Sequence, residues 1–594
     1  MRKRTVFYLL SVVLVFFLTF TGCQKNTKDD GGNITPPDLI SKVNSSVSGF
    51  VTNENNLPVL NATVQIGSST ITTDKYGFFE IRNVSVIQNA ATVRVTKTGY
   101  FKSIKTYTAA EGKSAFFRIK LIPKTNSGTV NGGSGGAVTL SNGLSISFPA
   151  NAVINAATNA AYTGTVNVAA YWINPTSNEI SSIMPGDLRG LNTDGNLQLL
   201  ATYGMAAVEL TGNGGELLQI TSGKKALLSL PIPSSLLSIA PATIPLWYFD
   251  ENIGLWKQEG SAAKTGSIYA GDVSHFSFWN CDVPGNYIQF NCTLVNTTGQ
   301  PIPYAYVKVT ALSPGIYFSD YGYTDSTGYV SGYVPPNAQL KLEVFDNSNC
   351  TNAVYTQIFN TTNVNISLGT IVISTTGRIA TLTGSVKNCS NTPVTNGYII
   401  VTDGISLNRY RLSNNGTYSV NKLVCSFPST ISLIGEDVST SQQSTPQSYI
   451  ITNPGIQNIP NINACGLNTQ EYFNFTDNGI PFSYSTPVDT MYMFATPPPT
   501  YTTTIYGRKL PLVATNYVTI TFGSFNLIVG SITNVSSFAT FSSNSYLLNS
   551  GTVTITEYGP VGQFIAGTFT ANKTDITTQT VHTFTGNFRV RRTN

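Results

Sequence analysis

The chain has 594 residues; 41% of them are hydrophobic and 11% aromatic, but only 11% carry a charge. Disordered chains typically have fewer aromatic residues and a larger net charge, so this composition excludes a mainly disordered protein and predicts packed cores. The net charge of +5 includes Arg2, Lys3 and Arg4 at the start of the chain. The remainder carries about +2, which is too little for nucleic-acid binding through the phosphate backbone, and we expect no nucleic-acid partner.

The amino terminus has the pattern of a secretion signal. A basic head is followed by an almost unbroken apolar run from Val6 to Phe20, which is too short to span a bilayer comfortably. Gly22 and Cys23 follow, and a cysteine after a small residue at the expected cleavage site resembles a bacterial lipoprotein signal. The resemblance implies that Cys23 is diacylated on its thiol, cut free of Gly22 and acylated on its new amine, which anchors the chain in a membrane. The alternative is an ordinary cleaved signal with a chance cysteine.

Residues 23–44 predict a flexible tether, because they are polar, rich in glycine, proline and asparagine, and lack apolar periodicity. Near their start, the cluster Lys28-Asp29-Asp30 resembles the surface-export signal of Bacteroidota lipoproteins. The resemblance implies a lipid-anchored outer-membrane protein exposed on the cell surface, with the membrane as one partner. Plain solvating charge is the other explanation of this cluster.

Three segments share the pattern Pro-[Val/Ile]-x-x-[Ala/Gly]-x-[Val/Ile], which indicates one fold used three times. They are residues 58–64, 301–307 and 393–399. Alternation along the first segment predicts one face with Ala62, Val64 and Ile66 and another with Thr63 and Gln65. The small residue of each segment suits a place where another strand comes close.

A turn glycine follows each of these segments, at Gly77, Gly328 and Gly416. In the first two copies Asp74 and Asp325 stand three residues earlier, and we expect each aspartate to bond local amides while the glycine takes a positive φ. Calcium binding is the alternative, but no further acids have the necessary spacing. The aromatic residue after the glycine is expected to fill the core of its own unit; it is Phe78 in the first copy and Tyr329 in the second.

The first copy resembles the carboxypeptidase regulatory-like domain, a transthyretin-like β-sandwich. It opens with Val47-Ser48-Gly49-Phe50-Val51, and Gly99-Tyr100 matches the late turn of that family. The module is an accessory fold there, so the resemblance brings no catalytic residue. The segment between the first two copies resembles a ZU5-type β-sandwich through Gly135-Gly136 and a strand that ends in Phe148-Pro149-Ala150-Asn151-Ala152, where Asn151 replaces the family's glycine.

The end of the chain has three strongly alternating stretches, at 552–556, 564–570 and 585–590, which predict a β-meander. The basic cluster there is expected to be a solvated strand end, and consists of Arg589, Arg591 and Arg592. The whole chain is therefore predicted to be all-β, with tandem β-sandwich domains after a lipoprotein signal peptide. The predicted division is a signal peptide at 1–22, a tether at 23–44, a regulatory-like sandwich at 45–123, a ZU5-like sandwich at 124–284, a second regulatory-like sandwich at 285–375, a third, divergent sandwich at 376–466, and a β-rich domain at 467–594.

Six cysteines remain after Cys23, an even number that suggests disulfides in an exported protein. The simplest pairing joins Cys292 with Cys350 and Cys389 with Cys425, and leaves Cys281 and Cys465 free or bridging. No CxxC pair exists, and the two histidines, His275 and His582, are far apart in sequence, so we expect no zinc site and no cofactor.

The stretch SHFSFWN, residues 274–280, contains one of the two histidines, two positions before a serine. His275-Phe276-Ser277 resembles the cleavage motif of self-cleaving ZU5-containing proteins. That resemblance implies a Ser277 hydroxyl that attacks the Phe276 carbonyl after His275 takes its proton. A strand is the alternative, with Phe276 and Phe278 pointing inward and His275, Ser277 and Trp279 on the other face.

Three functions compete. The first is a non-enzymatic, surface-anchored rod of sandwiches that binds a glycan or a surface protein or serves as a scaffold. Aromatic segments at 304–306 and 321–323 could stack on sugar rings in that case, or could be sheet-face aromatics. The second is an ectodomain that cleaves itself between Phe276 and Ser277. The third is a surface glycan-degrading enzyme, for which 29 acidic residues offer many carboxylate pairs without singling one out.

Overall fold

The computed structural model describes residues 36–313, 317–346, 352–374, 378–404, 406–486, 489–495, 502–509, 517–523, 527–540, 546–559, 563–575 and 578–592. Strands make up 61% of the described residues and helix 2%. The described helices are α1 (Ile180–Ile183) and a short 3-10 turn at Ser234–Leu236. The prediction of an all-β protein with tandem β-sandwiches is therefore confirmed.

The first unit is a sandwich of two sheets with strand orders β4-β1-β7 and β3-β2-β5-β6. Its strands are β1 (Lys42–Thr52), β2 (Thr63–Ile66), β3 (Ser69–Thr72), β4 (Phe78–Ile87), β5 (Ala91–Thr96), β6 (Ser103–Tyr107) and β7 (Ser114–Lys120). Strands β1 and β7 run parallel, and every other pair in this unit is antiparallel. Ala62, Val64 and Ile66 are fully buried, as the alternation predicts.

A larger unit follows, in which thirteen strands join one continuous sheet. They are β8 (Asn126–Asn131), β9 (Gly136–Thr139), β10 (Ser145–Phe148), β11 (Val153–Asn155), β12 (Thr165–Ile173), β13 (Arg189–Leu191), β14 (Leu197–Thr211), β15 (Leu217–Ile220), β16 (Ala226–Pro231), β17 (Thr243–Asp250), β18 (Leu255–Thr265), β19 (Ile268–Val273) and β20 (Phe278–Gly285). Strand β14 is its hub, because it pairs with β12, β13, β15 and β20. We call it the central unit.

The second sandwich repeats the topology of the first, with strand orders β24-β21-β27 and β23-β22-β25-β26. Its strands are β21 (Ile288–Asn296), β22 (Tyr306–Ala311), β23 (Ser319–Tyr323), β24 (Tyr329–Val334), β25 (Gln339–Phe345), β26 (Tyr355–Asn360) and β27 (Ile366–Ile373). Strands β21 and β27 are the parallel pair, in the place of β1 and β7. One apolar cluster runs from the central unit into this sandwich.

The third sandwich has the same arrangement, with β31-β28-β35 in one sheet and β30-β29-β32-β34 in the other. Its strands are β28 (Ile379–Asn388), β29 (Gly397–Asp403), β30 (Ser406–Arg411), β31 (Thr417–Leu423), β32 (Ser429–Asp437), β33 (Gln442–Gln443), β34 (Gln447–Ile451), β35 (Gly455–Asn458), β36 (Ile462–Ala464) and β37 (Leu467–Asn468). Strand β28 pairs in parallel with both β35 and β36. The three segments that share the proline pattern thus fold alike.

The shared motif has the same geometry in each copy. The proline forms a bridge to the end of the first strand, through the pairs Thr52–Pro58, Val295–Pro301 and Lys387–Pro393. The turn glycines have φ values of 70°, 78° and 78°. A Cβ on Gly77 would lie 2.2 Å from the Val51 carbonyl oxygen, and one on Gly328 would lie 2.3 Å from that of Leu294, so only glycine fits.

The chain ends in a nine-stranded antiparallel sheet of order β39-β38-β46-β45-β44-β43-β42-β41-β40. Its strands are β38 (Tyr472–Asp477), β39 (Ile480–Ser485), β40 (Thr490–Ala495), β41 (Thr502–Arg508), β42 (Tyr517–Gly523), β43 (Ile532–Thr540), β44 (Tyr546–Tyr558), β45 (Phe564–Asp575) and β46 (Val581–Arg591). Neighbours β44, β45 and β46 contain the three alternating stretches, so the predicted meander is confirmed.

The first sandwich contacts every other unit, so the units are not arranged as a simple row. The contacts are Arg94 Nη2 to the Glu251 carbonyl oxygen of the central unit (2.7 Å), Ser114 Oγ to Asp325 Oδ2 of the second sandwich (3.0 Å), Arg409 Nη1 of the third sandwich to Asp74 Oδ2 (2.9 Å), and Asn61 Nδ2 to the Met491 carbonyl oxygen of the C-terminal sheet (3.2 Å).

Phe78 lies in one of these interfaces and not in the core that was predicted for it. Its ring packs against Phe50 at 5.2 Å and against Tyr398 of the third sandwich at 6.3 Å. The core position belongs to the next residue, Phe79, because consecutive side chains of a strand point to opposite faces. Tyr329 is also outside the core, half-buried beneath the Lys113 ammonium group, which lies 5.4 Å from its ring.

Candidate functional site

The motif His275-Phe276-Ser277 lies in the bend between β19 and β20, and β20 begins only at Phe278. The interpretation of these residues as a strand is therefore wrong. Trp279, which was expected on the outer face, is fully buried in the core of the central unit. Phe276 is buried in that same core, whereas Phe278 packs in the apolar cluster that continues into the second sandwich.

The His275 imidazole is packed against aromatic rings and does not face a nucleophile. It lies 4.6 Å from the Tyr248 ring and 5.1 Å from the Trp279 ring, and its Nε2 is 3.9 Å from Glu259 Oε2. Burial lowers the pKa of His275, which keeps the ring neutral at neutral pH.

The Ser277 hydroxyl does not have the partner that self-cleavage requires. Its hydroxyl donates to the Phe278 carbonyl oxygen at 3.2 Å, and it has no hydrogen bond to His275 in this described stretch. The Phe276 peptide group is held by Gln219, whose Nε2 donates to the Phe276 carbonyl oxygen at 3.0 Å while its Oε1 accepts from the Phe276 amide at 2.7 Å. A base, a nucleophile and a carbonyl are thus close in sequence but are not aligned for self-cleavage.

The second histidine also has a local structural partner. His582 Nδ1 lies 2.8 Å from Asp477 Oδ1, across the paired strands β46 and β38. Across the described part of the chain, no three histidine, cysteine or acidic side chains are placed to hold a metal ion.

Asp74 and Asp325 are turn residues, as the sequence predicts. The Asp74 Oδ1 atom accepts from the amides of Tyr76 and Phe78, both at 2.9 Å. Asp325 Oδ1 accepts in the same way from Thr327 at 2.8 Å and from Tyr329 at 3.0 Å.

Both expected disulfides, Cys292–Cys350 and Cys389–Cys425, are wrong. Cys389 is bonded to Cys465, with Cα atoms 5.0 Å apart, because Asn388 and Ala464 are neighbours in the parallel pair β28–β36. Cys292 is a free thiol buried in the second sandwich, and Cys281 is a free thiol buried in the central unit. Cys425 is disulfide-bonded. Cys350 and Cys23 lie outside the described residues.

A groove of about 1410 Å³ opens between the first sandwich, the central unit and the C-terminal sheet. Its walls carry more positive than negative charge. Two acidic side chains line it, Glu209 and Glu251. Seven basic side chains line it, namely Lys75, Lys97, Lys102, Lys124, Arg508, Arg591 and Arg592.

Both acids of the groove are neutralised by lysines. Lys124 Nζ lies 2.8 Å from Glu209 Oε1, and Lys102 Nζ lies 2.6 Å from Glu251 Oε2. Elsewhere in the groove, burial and the nearby charge of Arg591 lower the pKa of Lys75 to about 8. Positive charges held this close together favour an anion between them.

No local sequence pattern indicates this groove, because its basic residues lie in two groups, at positions 75–124 and 508–592, that are hundreds of positions apart. The one local signal was the basic cluster at the end of the chain, whose interpretation as a solvated strand end is wrong. Arg591 is 5% exposed and lies 4.3 Å from the Phe564 ring, and Arg592 lies 4.1 Å from the Tyr558 ring. Phe276 and Ser277 border the same groove.

The tyrosines at 304–306 and 321–323 pack within the protein. Tyr304 lies 4.4 Å from Phe116 of the first sandwich and 5.5 Å from Tyr410 of the third. Tyr306 stacks on Tyr321 at 5.8 Å. The sheet-face alternative is therefore the better description of these rings.

A smaller cavity of about 370 Å³ lies between the first sandwich, the central unit and the second sandwich. Lys105 lines it, is 3% exposed, and donates to the carbonyl oxygens of Ser181 (2.9 Å) and Met184. Burial lowers the pKa of Lys105 to about 7. Opposite charges meet nearby, where Arg189 pairs with Asp187 at 2.7 Å.

No family model matches the chain. Over 109 residues it is 29% identical to human cartilage intermediate layer protein 2, which is 18% of this chain and 9% of that protein. The mouse protein of the same name is 32% identical over 108 residues, with the same shares. The chain thus spans about 9% of the length of the curated relatives it matches.

Solved structures that resemble parts of the chain have low similarity scores. They include the shaft pilin SpaA of Lactobacillus rhamnosus GG (9% identity, 30% of this chain, 98% of that one, TM-score 0.17), the major pilin subunit BcpA of Bacillus cereus (9%, 71%, 99%, 0.12), and a putative carbohydrate binding protein of Bacteroides uniformis (10%, 36%, 98%, 0.11). Likenesses this weak do not distinguish one β-sandwich protein from another. In the described residues, no helix is long and apolar enough to cross a bilayer.

Proposed function

We propose that this chain is a lipid-anchored protein of the outer-membrane surface, with Cys23 as the acylated residue. The basic head, the apolar run and the Gly22-Cys23 junction support this proposal, as does the polar tether that follows. Growth with a radiolabelled fatty acid should label the wild-type chain and not a Cys23→Ser variant. Label on the variant would contradict lipidation at this position.

We propose further that the folded units form a non-enzymatic binding module for acidic glycans. The observation that carries this proposal is the basic groove, which is lined by seven basic side chains and two acids. Lys102 and Lys124 pair with the acids, which leaves an excess of positive charge. Arginine suits carboxylate recognition because its planar guanidinium can form two parallel hydrogen bonds. Tyr100 and Tyr506 supply aromatic surface in the same groove.

The test is binding of the full chain to polygalacturonate, measured by titration calorimetry, with a neutral glucan as the comparison ligand. A Lys102→Glu, Arg592→Glu double variant should lose binding to the acidic polymer. Lys225→Glu is the matched control, because Lys225 is exposed and lies outside the groove. Equal binding of polygalacturonate by the double variant and the control would refute the groove as the binding site. Equal affinity of the wild-type chain for polygalacturonate and the neutral glucan would refute the preference for acidic glycans.

A further inference from the structure

A buried lysine meets two aspartates where the second and third sandwiches join. Lys422 lies on β31 of the third sandwich, and its side chain is 1% exposed. Its Nζ contacts Asp346 Oδ1 and lies 2.6 Å from Asp403 Oδ2. Asp403 ends β29 of the third sandwich, whereas Asp346 follows β25 of the second.

The two carboxyl groups also interact with one another. Burial raises the pKa of Asp346, and the charge of Asp403 and a hydrogen bond between the two carboxyl groups raise it further, against the effect of Lys422. A proton shared by two close carboxyl groups is expected when both cannot ionise. With one proton shared between the two carboxyl groups, the site holds one ammonium, one carboxylate and one carboxylic acid, and its total charge is zero.

We propose that Lys422 and Asp346 condense into an amide bond that covalently joins the third sandwich to the second, with Asp403 as the group that carries the proton. The site contains everything that this step needs, so no oxidant, metal or co-reactant enters. Asp403 takes one proton from the Lys422 ammonium, which leaves a neutral amine beside the protonated Asp346.

The amine nitrogen then attacks the Asp346 carboxyl carbon. The C–N bond forms, the C–O bond breaks, and the hydroxyl of Asp346 leaves with a proton as water. Asp403 passes its proton to the leaving hydroxyl and accepts one from the amine nitrogen, so it ends protonated. Every atom and charge is accounted for, because an ammonium, a carboxylate and an acid become an amide, an acid and a water.

Two features of the site favour condensation over a lasting ion pair. The product is uncharged, and charges removed from water carry a large desolvation cost in a protein interior. The fold also holds the reacting groups in contact, and fixed neighbours react as if at concentrations of about 10⁵ to 10⁸ M. Amide formation that is unfavourable in dilute solution becomes favourable under those conditions.

Lys105 offers a matched comparison within the same protein. It is as deeply buried as Lys422, but its Nζ donates to the carbonyl oxygens of Ser181 and Met184, and no carboxylate of the described residues pairs with it. A peptide carbonyl is not an acyl donor for this step. Lys105 should therefore stay an unmodified amine.

The test uses the full chain, reduced and unfolded, then cut with trypsin and analysed by mass spectrometry. Trypsin does not cut after an acylated lysine, so peptide 412–422 should be lost and a branched peptide should join 342–378 to 412–508. The mass of the branched peptide should equal the summed masses of peptides 342–378 and 412–508 minus the mass of one water. Peptide 106–113, whose release requires cutting after Lys105, should appear normally.

Two variants test the roles of Asp346 as the acyl donor and Asp403 as the proton carrier. In Asp346→Ala and in Asp403→Ala, peptide 412–422 should return in full, the first because the acyl group is gone and the second because the proton carrier is gone. Recovery of the full amount of peptide 412–422 from the wild-type chain would overturn the proposal, whatever the variants do. A branched peptide that persists in Asp403→Ala would overturn the role of Asp403.

Discussion

Asp74 Oδ2 lies 2.9 Å from Arg409 Nη1, although the two residues are 335 positions apart. Asp74 closes its own turn with Oδ1 and thus offers Oδ2 to the third sandwich. Arg409 also pairs with Glu436 and lies 3.9 Å from the Tyr398 ring and 4.8 Å from the Phe78 ring. A turn residue of the repeated motif therefore doubles as the contact that joins two copies of the fold.

Replacement of Arg409 by methionine should destabilise the protein by about 3 kcal/mol, because it strands Glu436 and Asp74 without their cation. The expected loss of stability is at the low end of the range for a buried ion pair, because the Asp74 side chain is 36% exposed. Denaturant unfolding measures the effect. Arg411→Met is the control, because Arg411 is exposed and its guanidinium donates to uncharged groups, the Tyr398 hydroxyl at 3.4 Å and Asn396 Oδ1 at 3.3 Å. Equal destabilisation by the two variants would contradict the prediction.

Lys105 should make stability depend on pH in the alkaline range. Burial lowers its pKa from 10.5 to about 7 in the folded protein, so the unfolded chain binds more protons between those values. The free energy of unfolding should therefore rise with pH from about 7 to 10.5, and this contribution is lost as pH falls through 7.

Lys105→Met should remove that part of the slope. The slope is a better readout than stability at one pH, because the variant also loses the hydrogen bonds to Ser181 and Met184. Lys102→Met, at an exposed lysine, should leave the slope unchanged. An unaltered slope in Lys105→Met would show that this lysine stays charged in the folded state.

The Cys389–Cys465 disulfide spans 76 positions, so its removal should cost about 4 kcal/mol through the entropy of the unfolded chain. A Cys389→Ala, Cys465→Ala double variant should have a lower thermal midpoint than the wild type under oxidising conditions. Under reducing conditions the difference between the two should shrink. A difference that survives reduction would point to lost packing as its cause.

Self-cleavage should not occur at Phe276–Ser277, because Ser277 donates to the Phe278 carbonyl and His275 packs on Tyr248. The purified chain, reduced and unfolded, should run as one species, and Ser277→Ala should run identically. Two fragments that meet between these residues in the wild type, and a single chain in Ser277→Ala, would contradict the expectation.

Local features of the fold could be predicted well from the sequence. The alternation of Ala62, Val64 and Ile66, the turn at Asp74 and the glycine at position 77 depend on neighbours a few residues away, and the structure confirms each of them. Period-two alternation and Asp-x-x-Gly turns have direct backbone causes, which is why they can be recognised without a structure.

Local rules failed where two strands or two units meet. Phe78 and Phe79 are equally apolar, and only the packing of the third sandwich on the first decides that Phe78 faces an interface. The pairing of Cys389 with Cys465 likewise depends on the parallel register of β28 and β36.

The sequence by itself determined the all-β class, the repeated motif and the chemistry of its turns, because these arise from contacts within a few residues. Only the tertiary structure decided which surfaces meet: the basic groove, the Asp74–Arg409 pair and the buried site at Lys422. Each of them joins residues that are distant in the chain, and their proximity depends on how whole sandwiches pack. No local pattern of residues encodes that packing, so these sites emerge only when the units are assembled.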